Sequence, residues 1–232
     1  MSRQIKGLLY FYFTDIRHSL TIFWSILMGI LAVSLLLVYV LIGDDGFMTF
    51  ALTGPMYVYC AVYGFLSAKE FIPYSIKMGA TRKNMMVSLA IFFGVISVSF
   101  SIIGTVIQEG ITLLNEVFGI NTFMFLHLSY FLTDTILSRM VIDAFIMVFF
   151  FSLMFIIGLL FYKFGLAIGG TVIGVFFITF VVGLSKGWVA EGAIKLYKGL
   201  DMTYFWKLGI ISIVIYSLSW LFLRRITIVK AK

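Results

Sequence analysis

Six long apolar runs, separated by short charged segments, constrain the fold of this chain more than any other feature. They cover residues 20–42, 47–66, 85–107, 140–161, 164–184 and 204–223. A helix needs about 20 apolar residues to cross the hydrocarbon core of a bilayer. Of the 232 residues, 62% are hydrophobic and only 12% are charged, whereas soluble domains carry about 25% charged residues. The sequence therefore predicts an all-α integral membrane protein with six transmembrane helices in one domain, residues 1–232.

The distribution of basic residues predicts the orientation of these spans. With six spans both termini lie on one side, and that side holds twelve basic and two acidic residues, a net charge of +10, whereas the other side carries −3. The basic residues in question are Arg3, Lys6, Arg17, Lys69, Lys77, Arg82, Lys83, Lys163, Arg224, Arg225, Lys230 and Lys232. Because basic residues near membrane helices stay in the cytoplasm, we expect a multi-pass protein of the cell membrane with both termini cytoplasmic.

Two regions on the opposite side fit this scheme less simply. Residues 117–133 form a weaker apolar run, and counting it as a seventh span would move the basic C-terminus outside. We therefore predict that residues 108–139 form an outer re-entrant or interfacial segment. The outer loop 185–203 mixes lysines with acidic residues and fits the charge rule least well.

The segment before the first span has an amphipathic pattern. Within residues 2–18, one face of a helix would carry Ile5, Leu8, Leu9, Tyr12 and Ile16, with basic residues on its flank. This pattern is typical of a helix that lies in the membrane interface near anionic headgroups. A solvated tail is the alternative.

Small residues and a proline mark local features inside the spans. Thr53, Gly54 and Pro55 predict a kink in the second span, because proline removes a backbone donor. The short stretch Tyr-Lys-Phe-Gly joins the fourth and fifth spans, which predicts an antiparallel hairpin. The single cysteine, Cys60, lies in an apolar run and is interpreted as a buried apolar residue.

The fifth span also carries glycines at helix-packing spacing, namely Gly165, Gly169, Gly170 and Gly174. Small residues four positions apart let helix backbones approach closely. Packing within the chain and packing between two copies both remain open.

Ionisable residues cluster at the outer boundary of the membrane. Arg139 and Asp143 are four residues apart at the start of the fourth span, so they can pair on one helix face. Glu109 and Asp134 lie near the same boundary. Two readings remain open, an ion pair anchored at the headgroups and the outer mouth of a substrate path.

The chain lacks the sequence motifs that mark nucleotide and zinc sites. It contains no G-x-x-x-x-G-K-[ST] motif for ATP phosphates and no H-E-x-x-H motif. Its two histidines, His18 and His127, are far apart, and no cysteine–histidine cluster suggests a metal. We therefore predict no catalytic residue, no metal and no cofactor bound by this chain, and no nucleic-acid partner.

A charged loop, residues 68–84, interrupts the apolar runs between the second and third spans. Pro73 is suited to the first turn of a short helix, Gly79 to the left-handed residue that ends it, and Thr81 to the N-cap of the next helix. We expect a short helix, a turn and a new helix on the cytoplasmic side. This segment is either an ordinary loop that obeys the charge rule or a surface that docks onto a soluble partner.

These features together resemble the permease subunit of ABC transporters of the type-2 exporter family. The resemblance rests on six spans, the helix before the first span, and "IPYSIKMGATRKNMM" in the main cytoplasmic loop, where a short apolar helix precedes a G-x-[ST]-R-[KR]-like turn. The small size and lack of a large outer domain look most like permeases that export amphipathic or antimicrobial peptides, including phenol-soluble modulins. A similar Gly-Ala-Thr-Arg turn occurs in MacB/FtsX-like permeases, which typically have four spans and a large extracytoplasmic domain.

The resemblance implies partners and roles for particular residues. The chain would pair with a second permease, identical or related, and with two ATP-binding subunits that hold the ATP and magnesium. The charged loop would contain the coupling helix that docks on the ATP-binding subunit, and the residues expected there are Ile72, Pro73, Tyr74, Ile76, Met78, Gly79 and Arg82. The alternatives are a membrane sensor or immunity protein that works without an ATPase, and an intramembrane enzyme.

Overall fold

A computed structural model describes residues 3–42, 46–119, 122–132 and 135–224 of the chain. Almost all of them are helical. The helices are α1 (Arg3–Leu37), α2 (Thr53–Leu66), α3 (Ile72–Lys77), α4 (Arg82–Phe118), α5 (Ile136–Ser185), α6 (Trp188–Lys198) and α7 (Met202–Leu223). π-helical segments follow α1 (Val38–Ile42) and α2 (Ser67–Phe71), and a short 3-10 helix covers Leu128–Phe131. Two three-residue strands, β1 (Met48–Phe50) and β2 (Phe123–Phe125), pair in parallel.

Four helices in the described part of the chain are long and apolar enough to cross a membrane. They are α1 with its extension to Val40, α4, α5 and α7. Between 22% and 44% of the residues in their most apolar windows are buried inside the protein, so most of each window faces outward. Outward-facing apolar helices of this length are expected in a bilayer rather than in water. The chain therefore has the architecture of a helical membrane protein.

The first helix differs from the predicted arrangement. Residues 3–18 do not form a separate interfacial helix, because α1 runs without a break from Arg3 to Leu37. The apolar face predicted to enter the headgroup region is buried inside the protein at Ile5, Leu8, Tyr12 and Ile16. The charged loop and α4 cover this face, and the sequence pattern of an amphipathic helix does not distinguish a protein surface from a lipid surface.

The second predicted span, 47–66, begins differently as well. Met48–Phe50 is a strand that pairs with β2, and α2 starts only at Thr53. Pro55 therefore lies in the first turn of the helix, where its missing N–H breaks no helical bond. The predicted kink at Thr53–Pro55 is replaced by a helix start. At its other end, α2 continues through the π-helical segment into α3, so residues 53–77 form one helical run.

The long helix α5 contains the fourth and fifth predicted spans and reverses direction between them. Gly165 has φ 77° and ψ 179°, a conformation that is essentially restricted to glycine. The ring of Phe161 lies against Gly169, where an added Cβ would be 2.7 Å from it. Eight residues of straight helix would separate these positions by about 12 Å along the axis, so the second half must fold back along the first.

Contacts between chain-distant residues define two ends of the structure. At the proximal end, Gln4 donates to the carbonyl of Gly79 at 2.9 Å, and Arg82 donates to the carbonyl of Leu223 at 2.7 Å. The Lys163 ammonium lies over the Phe222 ring at the same end. The start of α1, the charged loop, the α5 reversal and the end of α7 therefore lie together.

The distal end holds the paired strands and the start of α7. Phe145 of α5 contacts Trp206 of α7, and Asp201 caps α7 by accepting from the Met202 amide at 2.7 Å. A hydrogen bond from the Thr203 hydroxyl, followed by that amide bond, lowers the pKa of Asp201. Between the two ends lies an aromatic core in which Phe93 stacks on Phe151 with centroids 4.6 Å apart.

Candidate functional site

Two of the three turn residues of the charged loop have the predicted roles. Gly79 has φ 72° immediately after α3 ends. Pro73 is near the start of α3, but the π-helical segment before it is continuous with α3, so Pro73 does not begin a new helix. Thr81 caps α4, because its hydroxyl accepts the backbone N–H of Asn84 at 3.3 Å. The difference from the prediction is that α3 is not isolated, since it continues the helical run of α2.

The N-terminal part of α1 braces this loop. Tyr12 and Ser75 share a buried hydrogen bond of 2.9 Å, and the Tyr12 ring stacks on Phe71 with centroids 4.6 Å apart. Phe11 stacks on Tyr74 at 4.0 Å. The Gln4 side chain also accepts from Thr81 and Asn84. Polar and aromatic contacts thus attach the loop to α1 over most of its length.

The residues expected to dock a partner fall into three environments. Ile72 is fully buried, so it cannot contact a partner. Ile76 is partly buried and packs on the core, and Pro73 has intermediate exposure. Tyr74 and Met78 are 46% and 47% exposed.

The remaining two expected residues have different positions. Gly79 is exposed in the turn, and Arg82 is partly buried and donates to the last residue of α7. The available apolar surface of the loop is therefore Tyr74 and Met78. The loop also exposes Lys69, Lys77 and Lys83, together with Glu70.

The charged residues near the predicted outer boundary do not form the pair that their spacing in the sequence predicts. Arg139 forms an ion pair with Glu109 of α4. Asp143 instead accepts a hydrogen bond from Tyr57 of α2 and lies 3.1 Å from Nε2 of His127. The predicted pairing of Arg139 with Asp143 along one helix face is replaced by these contacts between elements. Asp134 lies outside the described residues.

His127 is bound on both sides of its ring. It is the N-cap of the 3-10 helix, where Nδ1 accepts the backbone N–H of Ser129 at 3.0 Å. Since Nδ1 accepts, the proton of the imidazole is on Nε2, and Nε2–H donates to Oδ1 of Asp143. Both side chains are almost fully buried.

One carboxylate oxygen of Asp143 accepts both of these hydrogen bonds. Tyr57 and His127 donate to Oδ1, whereas Oδ2 is buried and has no hydrogen-bond partner among the described residues. Buried polar atoms are nearly always satisfied, and a buried acceptor without a donor is costly. Sequence reasoning missed this cluster, because Tyr57 is 86 positions and His127 is 16 positions from Asp143.

The glycines predicted to pack helices have different roles. Gly165 forms the reversal, Gly169 faces Phe161, and Gly170 and Gly174 face open space. Two other glycines lie at a close approach of helix backbones in the described part of the chain. An added Cβ would lie 2.7 Å from the Phe151 carbonyl oxygen at Gly64 and 2.6 Å from the Phe65 carbonyl oxygen at Gly158. These two glycines set the distance between α2 and α5.

An apolar groove of about 550 Å³ runs beside α2 at this interface. Its wall includes Tyr57 and Val62 of α2, Phe150 and Met154 of the first half of α5, and Ile173 of the second half. Because these lining residues are apolar, the groove can accommodate a hydrocarbon chain.

No family model matches the chain, and the curated proteins and solved structures compared with it give no match.

Proposed function

We propose that this chain is the membrane-embedded permease subunit of an ATP-driven exporter of the type-2 ABC class. The observation that carries the proposal is the charged loop, which has a rigid attachment to the helices and a small exposed apolar surface at Tyr74 and Met78. Buried hydrogen bonds and ring stacking hold the inner side of the loop, so its exposed side is held in a defined position. A defined apolar surface in a loop that also exposes charged residues fits docking onto a soluble protein.

The contacts of the proximal end support a six-span topology for this function. The start of α1, the charged loop, the α5 reversal and the end of α7 lie together, which suits six passages with these segments on one side. In the second passage, α2 supplies 14 residues before the helical run 53–77 enters the charged loop. The basic residues concentrate at this end, so we assign it to the cytoplasm.

The braced loop would transmit motion from the partner to several helices. It is the continuation of α2, it bonds to α1 through Gln4 and Tyr12, and Arg82 links it to α7. A partner that moves the loop would therefore move the cytoplasmic ends of α1, α2, α4 and α7 together. In this proposal two ATP-binding subunits hold ATP and magnesium, and a second permease completes the pathway for an amphipathic substrate, most simply a peptide.

The test is docking by variants of the exposed apolar pair. Tyr74→Asp and Met78→Asp, singly and together, are co-expressed with a candidate ATP-binding subunit that co-purifies with the parent chain. Because a charge in a desolvated contact removes most of its binding energy, we expect about tenfold weaker co-purification or more, and loss of the permease-dependent ATPase activity. Tyr10→Asp is the matched control, since Tyr10 is 77% exposed on α1 and outside the loop.

Equal co-purification and ATPase activity in the Tyr74→Asp/Met78→Asp variant and the parent would exclude the docking role. Purification of a stable, active protein without any ATP-binding partner would favour the sensor or immunity alternative. The first conclusion requires that the double variant is folded and has normal thermal stability.

A further inference from the structure

The buried cluster of Tyr57, Asp143 and His127 joins three elements at a single oxygen atom. Tyr57 belongs to the distal part of α2, Asp143 to α5, and His127 to the described residues 122–132 of the predicted outer segment. The two donors reach Oδ1 of Asp143 and leave Oδ2 without a partner among the described residues. The cluster is therefore the polar connection between α2 and the second half of the outer segment.

The arrangement lets Tyr57 control the hold on His127. Both donors share Oδ1, so a shift of α2 that rotates the Asp143 carboxylate through the Tyr57 bond also moves the acceptor of His127. Because Oδ2 is buried and has no partner among the described residues, no hydrogen bond to Oδ2 resists that rotation.

The same helical run connects this cluster to the charged loop. Tyr57 lies in the first turns of the run 53–77, and Ser75 lies near its other end. Eighteen residues of helix place them about 27 Å apart along the axis. A displacement of the loop along this run would therefore act on the Tyr57 hydroxyl.

We propose that Tyr57, Asp143 and His127 form a latch that holds the 3-10 helix of the outer segment against α5 and releases it when α2 moves. The paired strands hold residues 123–125 of the segment, whereas the latch holds His127 and the residues after it. The latch acts in series, through Tyr57 to Asp143 and from Asp143 to His127. Loss of either bond uncouples α2 from the 3-10 helix.

The test uses a cysteine reporter on the purified chain in lipid nanodiscs, without an ATPase. Cys60, which is buried, is replaced by Ala, and Leu128→Cys supplies a partly exposed reporter at the start of the 3-10 helix. The reporter is labelled with a membrane-impermeant maleimide. Tyr57→Phe removes one bond of the latch. His127→Asn removes the other and keeps a side-chain oxygen that can cap the 3-10 helix.

We expect each variant to raise the labelling rate about tenfold or more, because each removes one hydrogen bond to a charged group. The double variant should label no faster than the faster single variant. Ser101→Ala, which removes a hydrogen bond between α4 and the Met140 carbonyl of α5, should leave the rate unchanged.

Unchanged labelling in both single variants would overturn the latch, as would rates that multiply in the double variant. Equal acceleration in the Ser101→Ala control would show general loosening and would also reject it. Because no ATPase is present, these outcomes are independent of whether the charged loop docks a partner.

Discussion

Tyr12 and Ser75 share a hydrogen bond of 2.9 Å between two fully buried side chains that are 63 positions apart in the chain. The bond joins the N-terminal part of α1 to the charged loop. Neither residue is in the hydrophobic span of a predicted transmembrane helix, so the contact belongs to the cytoplasmic end of the proposed topology. The position of the loop therefore depends on α1 as well as on the helices that flank it.

A double-mutant cycle tests this connection. Tyr12→Phe and Ser75→Ala should each lower the free energy of unfolding by about 1–3 kcal/mol, because each leaves a buried partner unsatisfied. The double variant should lose less than the sum of the two, since it removes both partners. The measurement is reversible unfolding in mixed micelles. Thr21→Ala, which removes an exposed bond within α1, is the control, and additive losses would contradict a direct bond.

Alanine substitutions at two apolar residues of the charged loop should lower the free energy of unfolding by very different amounts. Ile72 is fully buried, so Ile72→Ala should cost about 2–5 kcal/mol of unfolding free energy. Met78→Ala should change it by less than about 0.5 kcal/mol, because that side chain is half exposed. The comparison uses the same micelle unfolding assay. A large loss in Met78→Ala would place Met78 in the core and remove it from the docking surface.

The local structure of the charged loop could be predicted because each signal acts within a few residues. Gly79 and Thr81 fix a left-handed residue and an N-cap through their own backbone chemistry, whereas Pro73 lies inside the continuous helical run 53–77 and begins no new helix. The partners of the loop could not be predicted in the same way. An amphipathic face such as that of Ile5 and Tyr12 requires an apolar surface, and the sequence alone does not say whether lipid or protein supplies it.

The buried Asp143 cluster shows a second limit of sequence reasoning. The spacing of Arg139 and Asp143 predicts a pair on one helix face, but each finds a partner on another element. Asp143 points into the protein and Tyr57 approaches it from α2. Such contacts depend on helix packing. Of the two glycines at the α2–α5 contact, Gly158 has no small residue four positions away, so the sequence gives no spacing signal for it.

The contact between Arg82 and Leu223 predicts a role in stability for a residue first expected to dock a partner. The guanidinium donates to a terminal carbonyl of α7 and places a positive charge at the negative end of the helix dipole. Arg82→Gln should lower the free energy of unfolding by about 1 kcal/mol and increase hydrogen exchange in the last turn of α7. Lys83→Gln, at an exposed neighbour, is the control. Normal exchange in Arg82→Gln would contradict the capping role.

The reversal at Gly165 predicts a strong preference for glycine. At φ 77° and ψ 179° any other residue is strained, so Gly165→Ala should cost about 1–3 kcal/mol. Thermal unfolding in detergent measures the loss. Gly170→Ala is the matched substitution in the same helix, and because it meets open space it should be neutral or stabilising by up to about 1 kcal/mol.

The close approach of α2 and α5 at Gly64 and Gly158 gives the sharpest test of the packing. An added methyl would lie 2.7 Å from the Phe151 carbonyl oxygen in one case and 2.6 Å from the Phe65 carbonyl oxygen in the other. Backbone atoms cannot rotate away, so the helices must separate, and each Ala variant should lose about 1–3 kcal/mol of unfolding free energy. Separation of α2 from α5 would also stretch the bond between Tyr57 and Asp143. Gly158→Ala should therefore accelerate maleimide labelling at Leu128→Cys, whereas Gly174→Ala, which faces open space, should change neither stability nor labelling by a comparable amount. A stable Gly158→Ala variant with unchanged labelling would show that the two helices are not in contact there.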